Sequence, residues 1–230
     1  KALRFFKTYL EKGRKNTPTY VEAKEKHNFL INYSELISNP VDFDPVIVQG
    51  ISTVHDDYLP LISPDGSMAF FTKAFMGKDP NSIYSEKFIE EFTVSHSIDK
   101  EGLIFTDGEP MPSPFNSGKN QGAATITIDN RIMYITICEF VSRNYENCDI
   151  FSTYRTSNGW SELINLGPNI NGKFTWESQP SISADGKTLY FSSIRETNLD
   201  FNPDNATSDI YYSVKDEFGN WGPAINMGEI

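Results

Sequence analysis

The chain has 230 residues, with 31 acidic against 20 basic side chains and a formal net charge of −11. That balance excludes nucleic acid as a partner, because phosphates need a basic footprint, and it does not suit an anionic membrane surface. No apolar run approaches the roughly 18 residues of a membrane span, so no direct span is expected. Two cysteines are too few for a disulfide scaffold.

The first 40 residues read as a helical segment. Residues 1–10 look like the end of an amphipathic helix, and Gly13 with its basic neighbours makes a loop. Thr17-Pro18 is a helix start, with Thr as N-cap and Pro at the first helical position, where its missing N–H costs nothing. Tyr20, Ala23, His27, Leu30, Ser34 and Ile37 then recur at helical spacing, and Asn39-Pro40 stops the helix. Such a stripe cannot be buried alone. It must pack on the next domain or belong to a helical repeat.

Residues 41–230 read as all β, and the 13% aromatic content suits strands. Val41 to Ile51 reads as the last strand of a preceding unit. A strand–turn–strand element then occurs three times, centred on Asp65-Gly66, Asp129-Asn130 and Asp185-Gly186. Asp-Gly is a strong hairpin signal, because both central residues tolerate positive φ. A second anchor follows as Phe92, Ile150 and Ile210. A third, after a glycine turn, is Trp160 to Gly167, recurring as Trp221 to Gly228. Three anchors returning in order near every 60 residues imply units of about four short strands. Residues 74–90 look like an insertion in the first unit, and 224–230 like the link to a following one.

Four-stranded antiparallel units in series are the blades of a β-propeller. The fold class expected is therefore mainly β, a propeller of four-stranded antiparallel blades preceded by a short helical segment. Three blades would leave raw sheet edges, so the expectation is part of a larger ring in a longer chain.

These motifs resemble the PD40 repeat, which is WD40-like and TolB-type. The third copy, Gln179-Pro180-Ser181-Ile182-Ser183-Ala184-Asp185-Gly186-Lys187-Thr188-Leu189-Tyr190-Phe191-Ser192-Ser193 followed by Asp209-Ile210-Tyr211, matches closely. The second has Asn130 for Gly, and the first lacks Asp-Ile-Tyr. The connectors Asn165-Leu166-Gly167-Pro168-Asn169-Ile170-Asn171 and Trp176-Glu177-Ser178-Gln179-Pro180 are similar to those of Bacteroidota envelope proteins. Those proteins join a tetratricopeptide domain, a PD40 propeller and an OmpA-like domain. The resemblance implies that residues 1–40 end a tetratricopeptide-like domain. It also implies a non-enzymatic, periplasmic, outer-membrane-associated scaffold of type IX secretion or gliding machinery. Its partners would be envelope proteins, and peptidoglycan through a domain not present in this chain.

Few residues suggest chemistry. Cys138 and Cys148 face each other if their strands pair about a loop near Arg143, within reach of a structural disulfide. Such a bond implies an oxidising compartment, in agreement with a periplasmic protein. Asp200 to Asn205 alternates oxygen ligands like the start of a calcium loop, but lacks the glycine at the sixth position and has Tyr211 at the twelfth. A polar hairpin loop is the plainer reading. His27, His55 and His96 are scattered, and no catalytic motif, cofactor loop or metal-ligand spacing stands out. Tyr134, Tyr190, Phe191, Tyr211, Trp160 and Trp221 read as core between blades. Two other functions stay open: a glycan or small-molecule receptor, and a propeller hydrolase, which would need paired carboxylates about 5–10 Å apart.

Overall fold

The computed structural model describes residues 1–78, 85–99, 104–142, 145–199, 201 and 207–228. The chain forms two compact units, residues 1–46 and 47–230.

The first unit is a helical hairpin of α1 (Ala2–Lys12) and α2 (Pro18–Ser38). The Thr17 hydroxyl accepts from the Tyr20 amide at 3.3 Å, and Pro18 takes the first turn. The Tyr9 and Tyr20 rings meet at 6.4 Å, and the Tyr20 hydroxyl donates to the Leu10 carbonyl at 3.2 Å. Ala23 is buried, while Ser34 and Ile37, placed by their spacing on the same stripe, are exposed. Helix α1 has 11 residues against 21 in α2 and can cover only part of its length.

The second unit is mainly β, with three antiparallel sheets in succession. The first has the order β1 (Asp56–Ile62), β2 (Met68–Lys78), β3 (Glu86–His96), β4 (Glu109–Pro110). The second runs β5 (Asn120–Ile126), β6 (Ile132–Ser142), β7 (Tyr145–Thr156), β8 (Gly159–Trp160), and β9 (Ile164–Asn165) also pairs with β7. The third runs β10 (Trp176–Ile182), β11 (Thr188–Ile194), β12 (Asp209–Val214), β13 (Ile225–Asn226).

One turn closes the first hairpin of every sheet. The Ser63 hydroxyl donates to Asp65 Oδ1 at 2.7 Å and accepts from the Met68 amide at 2.9 Å, while the Ser67 amide donates to Asp65 at 3.0 Å. Thr127 and Asp129 repeat these bonds at 2.6, 3.0 and 3.1 Å, and Ser183 and Asp185 at 2.5, 2.9 and 3.0 Å. Only one residue per turn has positive φ: Gly66 at 69°, Asn130 at 56° and Gly186 at 70°. The amide of that residue bonds back to the carbonyl of Ser63, Thr127 or Ser183 at 2.8 Å. This is a type I turn followed by a left-handed residue, and Pro64 suits its first central position.

Three boundaries differ from expectation. Residues 41–48 form no strand. Pro45 lacks an amide donor, and Gln49 makes only an isolated parallel bridge to Ile104. The first-sheet insertion lengthens the β2–β3 hairpin, whose register continues to Lys78↔Glu86. Ile225-Asn226 is the fourth strand of the third sheet, pairing with Tyr212 and Tyr211, rather than a link onward.

The cores lie between sheets. Phe70 and Phe92, with rings stacked 6.0 Å apart, pack with Phe115 against Met133, Ile135 and Ile137 of the second sheet. Tyr134, Ile150 and Ile170 pack against Leu189, Phe191 and Tyr211 of the third. Tyr190 departs from the expected core position: it is 38% exposed, because strand alternation points it away from the second sheet.

The connectors act as plugs. Asn171 is buried, accepts from the Ile150 amide at 2.9 Å and donates to the Ile150 carbonyl at 2.8 Å. Asn116 makes the same pair of bonds to Phe92, both at 2.8 Å. One side-chain amide thus satisfies the backbone amide and adds a second donor to the carbonyl, which also accepts from the Leu166 or Met111 amide.

Replacing Asn171 with Ala leaves the Ile150 amide unpaired, while the Ile150 carbonyl keeps the Leu166 amide at 3.2 Å, and is expected to cost about 1–3 kcal/mol, measured by urea unfolding. The turn carboxylates give a pH signature. Asp65, Asp129 and Asp185 are each held below the usual carboxylate range, first by the Ser63, Thr127 or Ser183 hydroxyl and then chiefly by backbone amides. A depressed folded pKa contributes stability above the unfolded value of about 3.9 and loses it as pH falls further. The melting temperature should therefore drop below about pH 4, and drop less steeply in a triple Asp→Asn variant.

Candidate functional site

The inner strands β1, β5 and β10 share one more irregularity. Each breaks register, between Tyr58 and Leu61, between Gly122 and Thr125, and between Ser178 and Ser181. At each break a non-glycine residue takes a left-handed conformation: Leu59 at φ 53°, Ala123 at 48° and Gln179 at 53°. All three stand six residues before the turn aspartate of their own sheet. Such residues cost about 1–2 kcal/mol each, and a bulge re-aims side chains at a strand's edge.

The three bulges line one cleft of about 150 Å³, together with Thr72, Glu90, Asn120, Gln121, Thr136, Cys138 and Trp176. Neighbouring sheets are tied together along it. The Thr72 hydroxyl donates to the Gln121 carbonyl at 3.3 Å, and the Thr136 hydroxyl accepts from the Gln179 amide at 3.1 Å. A Cβ at Gly122 would meet Thr72 Oγ1 at 2.3 Å, so the close approach of the first two sheets requires glycine there.

The cleft's polar groups are unevenly satisfied. The Tyr58 hydroxyl donates to Glu90 Oε1. Burial first, then the hydrogen bond and charge of Glu90, push the Tyr58 phenol well above its ordinary range. The Asn116 amide donates to Gln121 Oε1 at 3.1 Å, which fixes the orientation of that side-chain amide. Gln121 Nε2 is then left buried with no partner, and so is Ser178 Oγ.

At the edge of the cleft, Cys138 and Cys148 pair across β6 and β7 with Cα atoms 4.0 Å apart and form a disulfide. Glu177, wholly buried, accepts from the Ser193 hydroxyl at 2.7 Å and from Arg195 at 3.1 Å. Burial raises the pKa of its carboxyl, opposed by the Thr175 and Ser193 hydroxyls and the Arg195 charge. Glu177 does not line the cleft.

The opposite end of the sheets holds a repeated cation. Arg155 lies 5.7 Å over Trp160 and reaches the Met68 sulfur of the first sheet at 3.4 Å. Lys215 lies 4.7 Å over Trp221 and donates to the Tyr134 hydroxyl of the second sheet at 3.0 Å. Both arrangements join neighbouring sheets.

Of the residues singled out by sequence, Cys138 lines the cleft and is bonded to Cys148, and the turn aspartates close the hairpins as structural punctuation. The calcium-like stretch 200–205 lies, but for Phe201, outside the described residues. Among the described residues no group of three or more His, Cys, Asp or Glu could hold a metal. His27 is on α2, His55 precedes β1 and His96 ends β3. The bulge residues escaped sequence reading because Leu, Ala and Gln do not advertise a left-handed backbone. Their constant offset from the turn aspartate was the available signal.

No protein-family model matches the chain, and no curated protein matches it. Among solved structures, a thermostable family-43 glycoside hydrolase aligns at 16% identity and TM-score 0.43, over 74% of this chain and 53% of its own. A glycosyl hydrolase from Bacteroides ovatus aligns at 12% and 0.37, over 75% and 50%. A prolyl endopeptidase aligns at 11% and 0.31, over 74% and 28%. The chain thus spans about half the length of the two hydrolases, and at these scores the likeness carries no assignment.

Backbone strain at the cleft is open to test. Ala123→Gly is expected to leave stability unchanged or raise it by up to about 1 kcal/mol, since relief of the left-handed strain offsets the entropy of glycine. Gly122→Ala, one residue earlier, should destabilise by about 1–3 kcal/mol through overpacking against Thr72. Paired chemical denaturation curves would show both.

Proposed function

We propose that this chain is the propeller part of a non-enzymatic interaction scaffold of the PD40 type. Support for the repeat comes from three successive sheets with the same turn, bulge and inter-sheet threonine bonds. The observation that carries the functional reading is a pair of hairpin arms. In the first two sheets the inner strands begin opposite Ala74 and Cys138, but the hairpins run on to Lys78↔Glu86 and Ser142↔Tyr145. Met76, Phe88, Phe140 and Val141 are exposed on these arms. The disulfide ties the strands of the second arm where it leaves the sheet.

Hairpins that expose large apolar side chains suit docking to another protein. The partners proposed are envelope proteins of secretion or gliding machinery, with peptidoglycan reached through a domain outside this chain. A periplasmic, outer-membrane-associated location agrees with a disulfide in a chain that has two cysteines. Among the described residues lining the cleft, Glu90 is the carboxylate, and it already accepts from Tyr58. Glycoside hydrolysis calls for two carboxylates, so the lining favours holding over cleaving.

Photo-crosslinkers at positions 88 and 140, expressed in the native host, are expected to capture proteins of the cell envelope. A crosslinker at the exposed Phe218, at the opposite end of the third sheet, should not capture them. Capture of cytoplasmic proteins alone, or release of nitrophenol from aryl glycosides by the purified chain, would overturn the assignment.

A further inference from the structure

The first arm carries an unfinished sheet edge. Phe92 turns its backbone groups away from β2. Its amide donates to Asn116 Oδ1 at 2.8 Å, and its carbonyl accepts from the Asn116 side-chain amide at 2.8 Å and the Met111 amide at 2.9 Å. Backbone groups alternate sides along an antiparallel strand. The N–H and C=O of Glu90 and Phe88, two and four residues out along the arm, therefore point to the same outer side. Strand β4 pairs with Thr93 and Val94, so among the described residues no strand meets Glu90 or Phe88. Edges are commonly blunted by a bulge or a proline. This one has neither: its register runs unshifted from Met68↔His96 to Lys78↔Glu86, and β3 contains no proline.

A groove of about 190 Å³ follows this edge, lined by residues 87–91 of β3 and by Asn116, Gly118, Lys119 and Asn120. The second set is tied to the second arm. Lys119 pairs with Glu139 of β6 at 2.5 Å, and Asn120 donates to Glu146 of β7 at 3.0 Å. A Cβ at Gly118 would meet nothing within 4 Å, which leaves open space beside it. Room along a row of free main-chain donors and acceptors suits an extended peptide. Charge narrows the choice. With Lys119 engaged by Glu139, Glu90 and Glu91 outweigh Lys87 along the groove, which favours a segment without acidic side chains.

We infer that the outer edge of β3 accepts an extended, non-acidic segment of a partner protein as an added strand, hydrogen-bonded to the backbone of Phe88 and Glu90. The inference rests on the reading of the arms as docking elements and names the mode of docking at the first of them. Main-chain bonds would supply the hold, and Asn116 marks where the added strand must stop, because it already serves Phe92.

Short peptides selected on the purified chain from a random display library are the probe, and amide hydrogen exchange read by NMR is the test. The selected peptides are expected to be poor in Asp and Glu. They should slow exchange at the Phe88 and Glu90 amides by about ten-fold or more, and leave Lys87 and Ile89, whose amides face β2, unchanged. Phe88→Ala removes the ring and keeps the outward donor. Phe88→Pro also removes the donor, at a position where an edge strand tolerates proline. Both variants should stay folded, with the proline variant binding peptide about ten-fold more weakly than the alanine variant. Equal loss in the two folded variants, protection confined to other amides, or selection of no peptide would overturn the inference. Capture of envelope proteins through position 88 alongside any of those results would leave the docking reading standing, with the ring rather than the backbone as its contact.

Discussion

The constraint on which the β unit depends is that its first two sheets are apolar on both faces. Phe70 and Phe71 are neighbours in β2, point to opposite sides, and are each 1% exposed. Phe70 faces the second sheet, and Phe71 packs with Ile51, Ala69 and Phe105 on the other side. Tyr134 and Ile135 repeat the pattern in β6, one meeting the third sheet and one the first. A sheet of this kind cannot stand in water on either face. Stacking in series follows from it, and so does the convergence of the inner strands at one edge of the stack.

That convergence explains why the irregular features collect where they do. Close packing of β5 on the first sheet leaves no room for a side chain at Gly122, and the seam is sealed by threonine hydroxyls rather than by apolar contact. The backbone bends at each inner strand through a left-handed residue. Strain of that sort persists only when the surroundings over-determine it. Here the surroundings are the neighbouring sheet on one side and the turn on the other. The turn's serine or threonine and aspartate close each hairpin rigidly, six residues after the bulge.

Much of this was legible in the sequence, at the level of repetition. The turn aspartates, the Phe92–Ile150–Ile210 series and the Trp–Asn connectors mark three units because each answers a local demand: a turn, a third strand, an outer strand. Strand ends were less legible. Val41 to Ile51 is apolar enough for a strand but contains Pro45 and finds a single bridge, at Gln49. Ile225-Asn226 looked like a linker because two residues carry too little pattern to read as a strand. The cleft was hidden altogether. Gln121 and Ser178 are unremarkable in type, and only three-dimensional packing shows that each buries an atom without a partner.

Charge follows the same division between frame and cleft. Cations in the frame are spent on rings as much as on carboxylates: Arg155 over Trp160, Lys215 between Tyr134 and Trp221, and Arg195 over Phe191 and Tyr211. Held against an aromatic face, Arg155 and Lys215 each bridge two sheets without requiring a second buried charge. Arg195 also meets Glu177 inside the third sheet, where burial disfavours the carboxylate and the guanidinium opposes that effect. The described lining of the cleft is left without a basic side chain. Arg155 and Lys215 are placed instead in the seams between neighbouring sheets.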